Sequence, residues 1–600
     1  MAEEANEAQE LPIEEGFPSE HPGQTGPSTI PKSVLLSAAS AGLHTPKSAP
    51  RPPSDTTATS SSSPTKIMGS RTQVGNSSWG RTMRSKATLV DKSAAIFDIM
   101  ALNNIEVIAG LYPRRMGKTL FLDMAANFLG AYGNLSRVKR EESFKKCAIY
   151  DKHPEFFEEN FAKYAVFALD FRAQSPTTIV GAMRLLAASI VKATDPYICL
   201  LRDLEAGRMS EDSPANIDPS KVEEYLPEIK WVLGRIDLFG SSTELTGSHA
   251  RHINSVLPDL MAILDDLCGW RSVVLVDEYD APFMSALRKQ GLQAAEVADI
   301  RDVYTNFLSH CLKNNRNLRK GIQAGVFDVR SFGLGSGFNI AVTYMAHTGI
   351  ANEGNPFENA FGFTVQDVWS LIGTFINTQW RRREECTDVA AFKKDLLVGC
   401  LRQFGGYRIG KVQHIFSPWT IMQFLDMIRN KLPGEVTYSG HDFWASTGST
   451  RELDGICASS LDDLTCYCKY LVTTFGQRCG HLQITGTATT LEMSGPLSDE
   501  LVEEACNQEQ PSLPFDVNAG TGAKLAEICM GRTDTFGRDL QGLSNGKLST
   551  RAVMSLLYQA GYLAPISGDE VGIPNEEASC ALEEYYNRVA EALRYTPKTV

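Results

Sequence analysis

Two short stretches hold the residue types that could do chemistry together. The first, "GLYPRRMGKTLFLDMAANFLG", runs from Gly110 to Gly130. Its centre, Gly117-Lys118-Thr119, is the second half of the pattern G-x-x-x-x-G-K-[ST]. In such a loop, backbone N–H groups and a helix N-terminus converge on phosphate oxygens. Gly117 would let the backbone approach the phosphates, Lys118 would reach the β/γ-phosphates, and the Thr119 hydroxyl would ligate Mg2+. The first glycine of the pattern is missing, because Tyr112 stands five residues before Gly117. The second stretch, "VVLVDEYD", follows four apolar residues with Asp277 and Glu278. An acidic pair at the end of a buried strand is costly without a partner. An Asp that holds Mg2+ beside a Glu that positions the attacking water would give the pair its role. "GKT" alone is a weak signal, and polar residues commonly follow buried strands. Both elements in this order are hard to attribute to chance.

The flanking segments are of the kinds such a site needs. "IEVIAG" (105–110) reads as a buried strand leading into the loop. Phe121, Met124, Ala125 and Phe128 then recur at helical spacing. Further buried strands are expected at "YAVFALDF" (164–171), "SVVLVDEYD" (272–280) and "GIQAGVF" (321–327), with amphipathic helices between them. Strands alternating with helices imply an α/β fold with a mostly parallel sheet over 86–370. A polar stretch at about 200–248 reads as an insertion and accounts for part of the long separation between Lys118 and Asp277. From 371 the pattern becomes mainly helical. The expectation is a helical lid or winged-helix-like region over 371–480 and a mainly helical region over 481–600. Residues 1–85 are rich in Ser, Thr, Pro and Gly and poor in large apolar side chains, so a disordered tail is expected there.

Composition narrows the function classes. The chain has 600 residues, enough for three or four domains, and a net charge of −13, so no global field recruits nucleic acid. No apolar run is long enough to span a bilayer, so no membrane partner is expected. The acidic start, without Lys or Arg in its first twenty residues, does not read as a secretory signal. The thirteen cysteines lie mostly in apolar contexts and read as reduced thiols of an intracellular, cytoplasmic or nuclear protein. Cys466, Cys468, Cys479 and His481 lack a usual zinc spacing. "WRRREE" (380–385) reads as a solvated helix face, and Arg330, just past the fourth strand, as a surface ion pair or a sensor.

In order along the chain, "VDKSAAIFDIM", "YPRRMGKTLFL", "YAVFALDF", "VVLVDEYDAP", "GSGFNIAV" and "AFGFTVQDV" resemble the AAA-ATPase-like family. That family's loop reads Pro-Arg-Arg-aromatic-Gly-Lys-Ser, and one of its strands ends in Asp-Glu-Tyr-Asp. "FGGYRIG", "FSPWTIMQFL", "FWASTG" and "LLYQAGYL" with "IPNEE" resemble its later motifs, so the resemblance covers about 87–580. It implies a P-loop NTPase in which the missing first glycine is a family trait. It implies nucleotide-binding roles for Arg114, Arg115, Gly117, Lys118, Thr119 and Asp277, with Thr119 and Asp277 on the metal and Glu278 on the attacking water. One arginine of the pair would face phosphate and the other a carboxylate, in either order. Tyr112 stands where the family usually has Arg and Met116 where it has Phe, and two further departures matter more. Gly405 stands where Asp is usual, and Ala324 where Thr is frequent. Many bacterial members carry a C-terminal nuclease domain. "LPFDVNAGTGAKLAEIC" offers Asp516 and Glu527 but Cys529 in place of the Lys, so no nuclease is expected. The reading is an ATP- and Mg2+-binding, ATP-hydrolysing protein that couples nucleotide state to a conformational or partner-binding change, with self-association or a protein partner. Its alternative is a non-hydrolysing nucleotide switch or scaffold.

Overall fold

The computed structural model describes residues 65–70, 77–132, 136–172, 174–208, 217, 219–241, 249–288, 294–329, 340–348, 354–438, 443–444, 550–567 and 570–595. Five strands form the central sheet: β1 (Val107–Leu111), β2 (Ala165–Asp170), β3 (Ser272–Asp277), β4 (Leu318–Gly325) and β5 (Val342–Met345). Their spatial order is β2-β3-β4-β1-β5, and every neighbouring pair is parallel. Four of these strands coincide with the apolar runs of the sequence, and the expected α/β fold with a parallel sheet holds. The fifth, β5, was not anticipated as a strand.

Both faces of a parallel sheet are covered, so its strands are rich in buried apolar residues. Val274 and Val276 of β3 pack with α2 (Ile179–Glu205), α3 (Pro219–Gly240), α4 (Ala250–Cys268) and α5 (Ala294–Leu312). Val273 and Leu275 point the other way, into a second core with Phe121, Ala125 and Phe128 of α1 (Lys118–Leu129). β3 thus joins the two cores by simple alternation.

Two expectations need correction. The stretch 200–248 is not a polar excursion in its described part. Residues 200–205 complete α2, and α3 buries Ile229, Val232, Leu233 and Ile236 at helical spacing. Its charged outer face had hidden a narrow apolar stripe. The expected tail to residue 85 also includes ordered chain. Trp79–Ser85 is a helix, with Trp79 fully buried and stacked on Phe144 at 4.2 Å. Asp123 of α1 accepts the Trp79 N–H at 2.6 Å. A large aromatic with one good partner outweighs its Ser/Thr-rich surroundings.

Beyond the sheet, α6 (Val365–Thr378), α7 (Val389–Phe404) and α8 (Pro418–Met427) enclose a third core around Val368, Phe375, Cys400 and Phe424. Thr364 and Asp367 form a capping box at the start of α6, and Lys92 pairs with Asp367 at 2.5 Å. The chain ends in α9 (Thr550–Ala560) and α10 (Glu576–Tyr595), so the described residues after 365 are mainly helical. Among the described residues no helix is long and apolar enough to cross a membrane. Arg330, the Cys466–His481 group and Asp516, Glu527 and Cys529 lie outside the described residues.

Candidate functional site

The register across the sheet places the site. Asp170, Asp277, Ala324, Gly110 and Tyr344 are successive lateral partners from β2 to β5. The C-terminal ends of the strands therefore lie level, and the loops leaving them share one rim, where ligands of open α/β sheets bind.

The loop between β1 and α1 explains the missing glycine. Tyr112 turns its ring inward, edge-on to Phe357 and Phe361. Its hydroxyl donates to Asn355 Oδ1 at 2.9 Å, and its backbone N–H donates to Gly325 O at 3.1 Å. The side chain anchors the loop to the core. The left-handed backbone positions fall instead at Arg115 (φ 67°) and Gly117 (φ 89°). A Cβ on Gly117 would meet nothing nearer than Pro418 at 3.9 Å. The glycine is required there for its φ, not for space.

Gly117 caps α1, so Lys118 and Thr119 begin the helix. Lys118 is almost fully buried and donates from Nζ to the carbonyls of Tyr112 (2.7 Å) and Pro113 (2.9 Å). Burial lowers its pKa, while Glu278, Asp277 and Asp280 oppose that shift. Thr119 Oγ1 donates to Asp277 Oδ2 at 2.7 Å. Residues 158 apart in sequence thus meet as a hydroxyl and a carboxylate. Burial raises the Asp277 pKa, and its second oxygen, Oδ1, is buried without a protein partner. A residue the sequence reading missed, Arg172, places a guanidinium nitrogen 3.1 Å from the same Oδ2. It follows β2 by two residues, and no motif marked it; only the pairing of β2 with β3 brings it here.

Glu278 leaves β3 in a left-handed conformation, φ 53°. Its side chain lines the same cleft as Lys118 and Arg172. The next two residues hold the turn. Tyr279 donates its hydroxyl to Phe327 O at 2.8 Å, and Asp280 Oδ2 accepts the N–H groups of Val326 and Phe327. Burial first, then the charge of Glu278, pushes the Asp280 carboxyl up to about 6. "DEYD" therefore divides into two residues at the cleft and two that lock β3 to the loop after β4.

The cleft has a volume of about 380 Å3, within the usual range for small-molecule sites. Arg114 and Arg115 both line it, and Arg115 lies 4.1 Å over the Trp419 ring. Leu89, Val90, Met124, Phe363 and Met422 supply apolar wall. A lining that mixes charged and apolar side chains matches the mixed chemistry of a nucleotide. Among the described residues no three His, Cys, Asp or Glu side chains group to hold a metal. Thr119 and the partnerless oxygen of Asp277 instead suit Mg2+, which keeps several waters and takes phosphate oxygens.

The departures at Ala324 and Gly405 have structural settings. Ala324 is buried in β4 between Gly110 and Asp277 and presents no polar side-chain atom. Gly405 caps α7, where a Cβ would lie 2.6 Å from Leu401 O, and its carbonyl accepts from Asn575 at 2.7 Å. A larger residue would require the end of α7 to shift.

The family model of predicted AAA-ATPases matches residues 73–334. That segment contains both the Lys118 loop and the Asp277-Glu278 pair. No curated protein matches the chain. Among solved structures, a Walker-type ATPase of Pyrococcus abyssi is similar at 12% identity, over 82% of this chain and 96% of that one. Its TM-score of 0.33 is too low to carry an inference.

Proposed function

We propose, on the match of residues 73–334 to the predicted AAA-ATPase model, that the chain binds ATP with Mg2+ in this cleft and hydrolyses it. The nucleotide state would then be passed to the helical C-terminal region. The observation that carries the reading is the Thr119–Asp277 contact at 2.7 Å beside a buried, partnerless carboxylate oxygen. Bound Mg2+ supplies charge neutralisation on the phosphate oxygens. Thr119 and Asp277 would hold it. Lys118 would exchange its two loop carbonyls for phosphate oxygens, and the N–H groups from Gly117 onward would orient the polyphosphate. Arg114 and Arg115 add positive charge along the loop. Glu278 would hold the attacking water and accept its proton as the terminal P–O bond breaks. The apolar wall would take the base.

Ala324 favours a second reading, a switch that binds but does not turn over. At its position in the central strand, Ala324 offers no side-chain donor toward a terminal phosphate.

Two variants and the parent test these readings. Lys118→Ala should weaken ATP binding by roughly tenfold to a hundredfold, the worth of a charge-assisted hydrogen bond. Glu278→Gln should bind ATP like the parent but lose about two orders of magnitude in single-turnover hydrolysis. A parent that binds without turnover supports the switch. A parent that binds no nucleotide removes both readings.

A further inference from the structure

Arg172 lines the cleft, and the proposed function gives it no role. Asp170 is the lateral partner of Asp277, and the Phe171 N–H donates to Asp277 O at 3.1 Å. This places the backbone of Arg172 beside Asp277. Its guanidinium lies 3.1 Å from Asp277 Oδ2 and 3.6 Å from Asp170 Oδ2. The two ends of the pair differ. The Asp277 side chain is 9% exposed and held by Thr119, whereas the Arg172 side chain is 47% exposed and borders the open cleft with Lys118 and Glu278. One end is buried and held, and the other is half-exposed at the cleft.

We propose that Arg172 senses the nucleotide's terminal phosphate, held on Asp277 while the metal is away and released into the cleft when the metal is loaded. The inference rests on the ATP-binding reading above. A divalent cation served by Thr119 and Asp277 repels a guanidinium bound to the same carboxylate and competes for its charge. The freed side chain remains in a cleft where its planar fork matches phosphate oxygens. A diphosphate lacks the group it would meet. The pair therefore gives a reason for the chain to distinguish ATP from ADP, a role that Ala324 cannot supply from β4.

The test is nucleotide titration of the full chain with ATP and ADP, each with Mg2+ and with EDTA, in the parent, Arg172→Ala and Arg172→Lys. Thermal melts of the variants check that they fold. With Mg2+, Arg172→Ala should lower the ratio of ATP to ADP affinity about tenfold by weakening ATP alone, the scale of one charge-assisted contact. Arg172→Lys should recover part of that ratio. In EDTA the ratio should be the same in parent and Arg172→Ala, because the arginine then stays on Asp277. Equal weakening of both nucleotides would mean a structural ion pair, and an unchanged ratio would mean no contact with the terminal phosphate; either overturns the proposal. If the parent binds ATP and only the ratio fails to change, the sensor is wrong and the ATP site stands. If the parent binds neither nucleotide, both fall.

Discussion

Glu278 shows what the site costs at the scale of one residue. A left-handed backbone is unfavourable for a residue with a Cβ by roughly 1–2 kcal/mol, and Glu278 adopts it at φ 53°. Its charge also helps to raise the buried Asp280. Glu278→Gly should therefore stabilise the fold by up to about 1 kcal/mol, less than the full strain because glycine has more unfolded-state entropy to lose. Hydrolysis should be lost in the same protein. Urea unfolding with single-turnover kinetics checks both, and a destabilised variant would mean that the carboxylate supports the fold. The pH dependence has a definite sign. Asp280 has a folded pKa of about 6 against an ordinary 3.8. Its contribution to stability is present below the ordinary value and lost as pH rises through 6. Glu278→Gln removes part of the cause. Its stability relative to the parent should improve between pH 4 and 7, as two urea curves would show.

At the scale of the element, β4 governs the site without entering its chemistry. It separates the strand carrying the loop from the strand carrying the carboxylates, and its last residue, Gly325, accepts the Tyr112 N–H. A Cβ on Gly325 would fall 2.5 Å from both Asp280 Oδ1 and the Tyr279 ring. Gly325→Ala should destabilise by about 1–3 kcal/mol through overpacking and weaken ATP binding, because the same carbonyl steadies the loop. Paired unfolding and nucleotide titrations measure the two losses. The helix Trp79–Ser85 makes a similar point from outside the sheet. Trp79→Ala should cost about 3–5 kcal/mol as judged by equilibrium unfolding, although the surrounding composition had read as tail.

At the scale of the whole molecule, the end of the chain braces the phosphate loop. Glu577 Oε2 accepts the Thr420 hydroxyl of α8 at 3.1 Å, and its Oε1 accepts the Trp444 N–H at 2.6 Å. Trp444 donates from its indole to Arg114 O at 3.3 Å. Gly561, whose φ is 95°, lies against Pro113 so closely that a Cβ would come within 2.7 Å of it. Changes in the loop therefore have a packed route to α8 and α10. Glu577→Ala leaves two donors unmatched in the interior, at a cost of roughly 1–3 kcal/mol for a buried unsatisfied group. ATP affinity should fall with it, although Glu577 is not among the cleft residues. Intact affinity in a destabilised variant would show that the brace is independent of the site.

Much of this protein was decided locally and could be read from the chain. Apolar runs of strand length, the helical spacing after Lys118 and the acidic pair after "VVLV" are short-range patterns, and the corresponding strands and helix formed where they were expected. The polar face of α3 and the Ser/Thr-rich surroundings of Trp79 misled because average composition conceals a narrow apolar stripe or one well-partnered ring. Tertiary structure decided the rest. The strand order sets β4 between Gly110 and Asp277, and the register sets Asp170 level with Asp277 across 107 residues of sequence. Arg172, Trp444 and Glu577 carry no motif and gain their positions only when distant strands and helices pack. Tyr112 looked like a defect in a phosphate loop until the fold supplied Phe357, Phe361 and Asn355 to receive it. Local sequence can specify which groups are available, but which of them meet depends on burial and pairing summed over the whole chain.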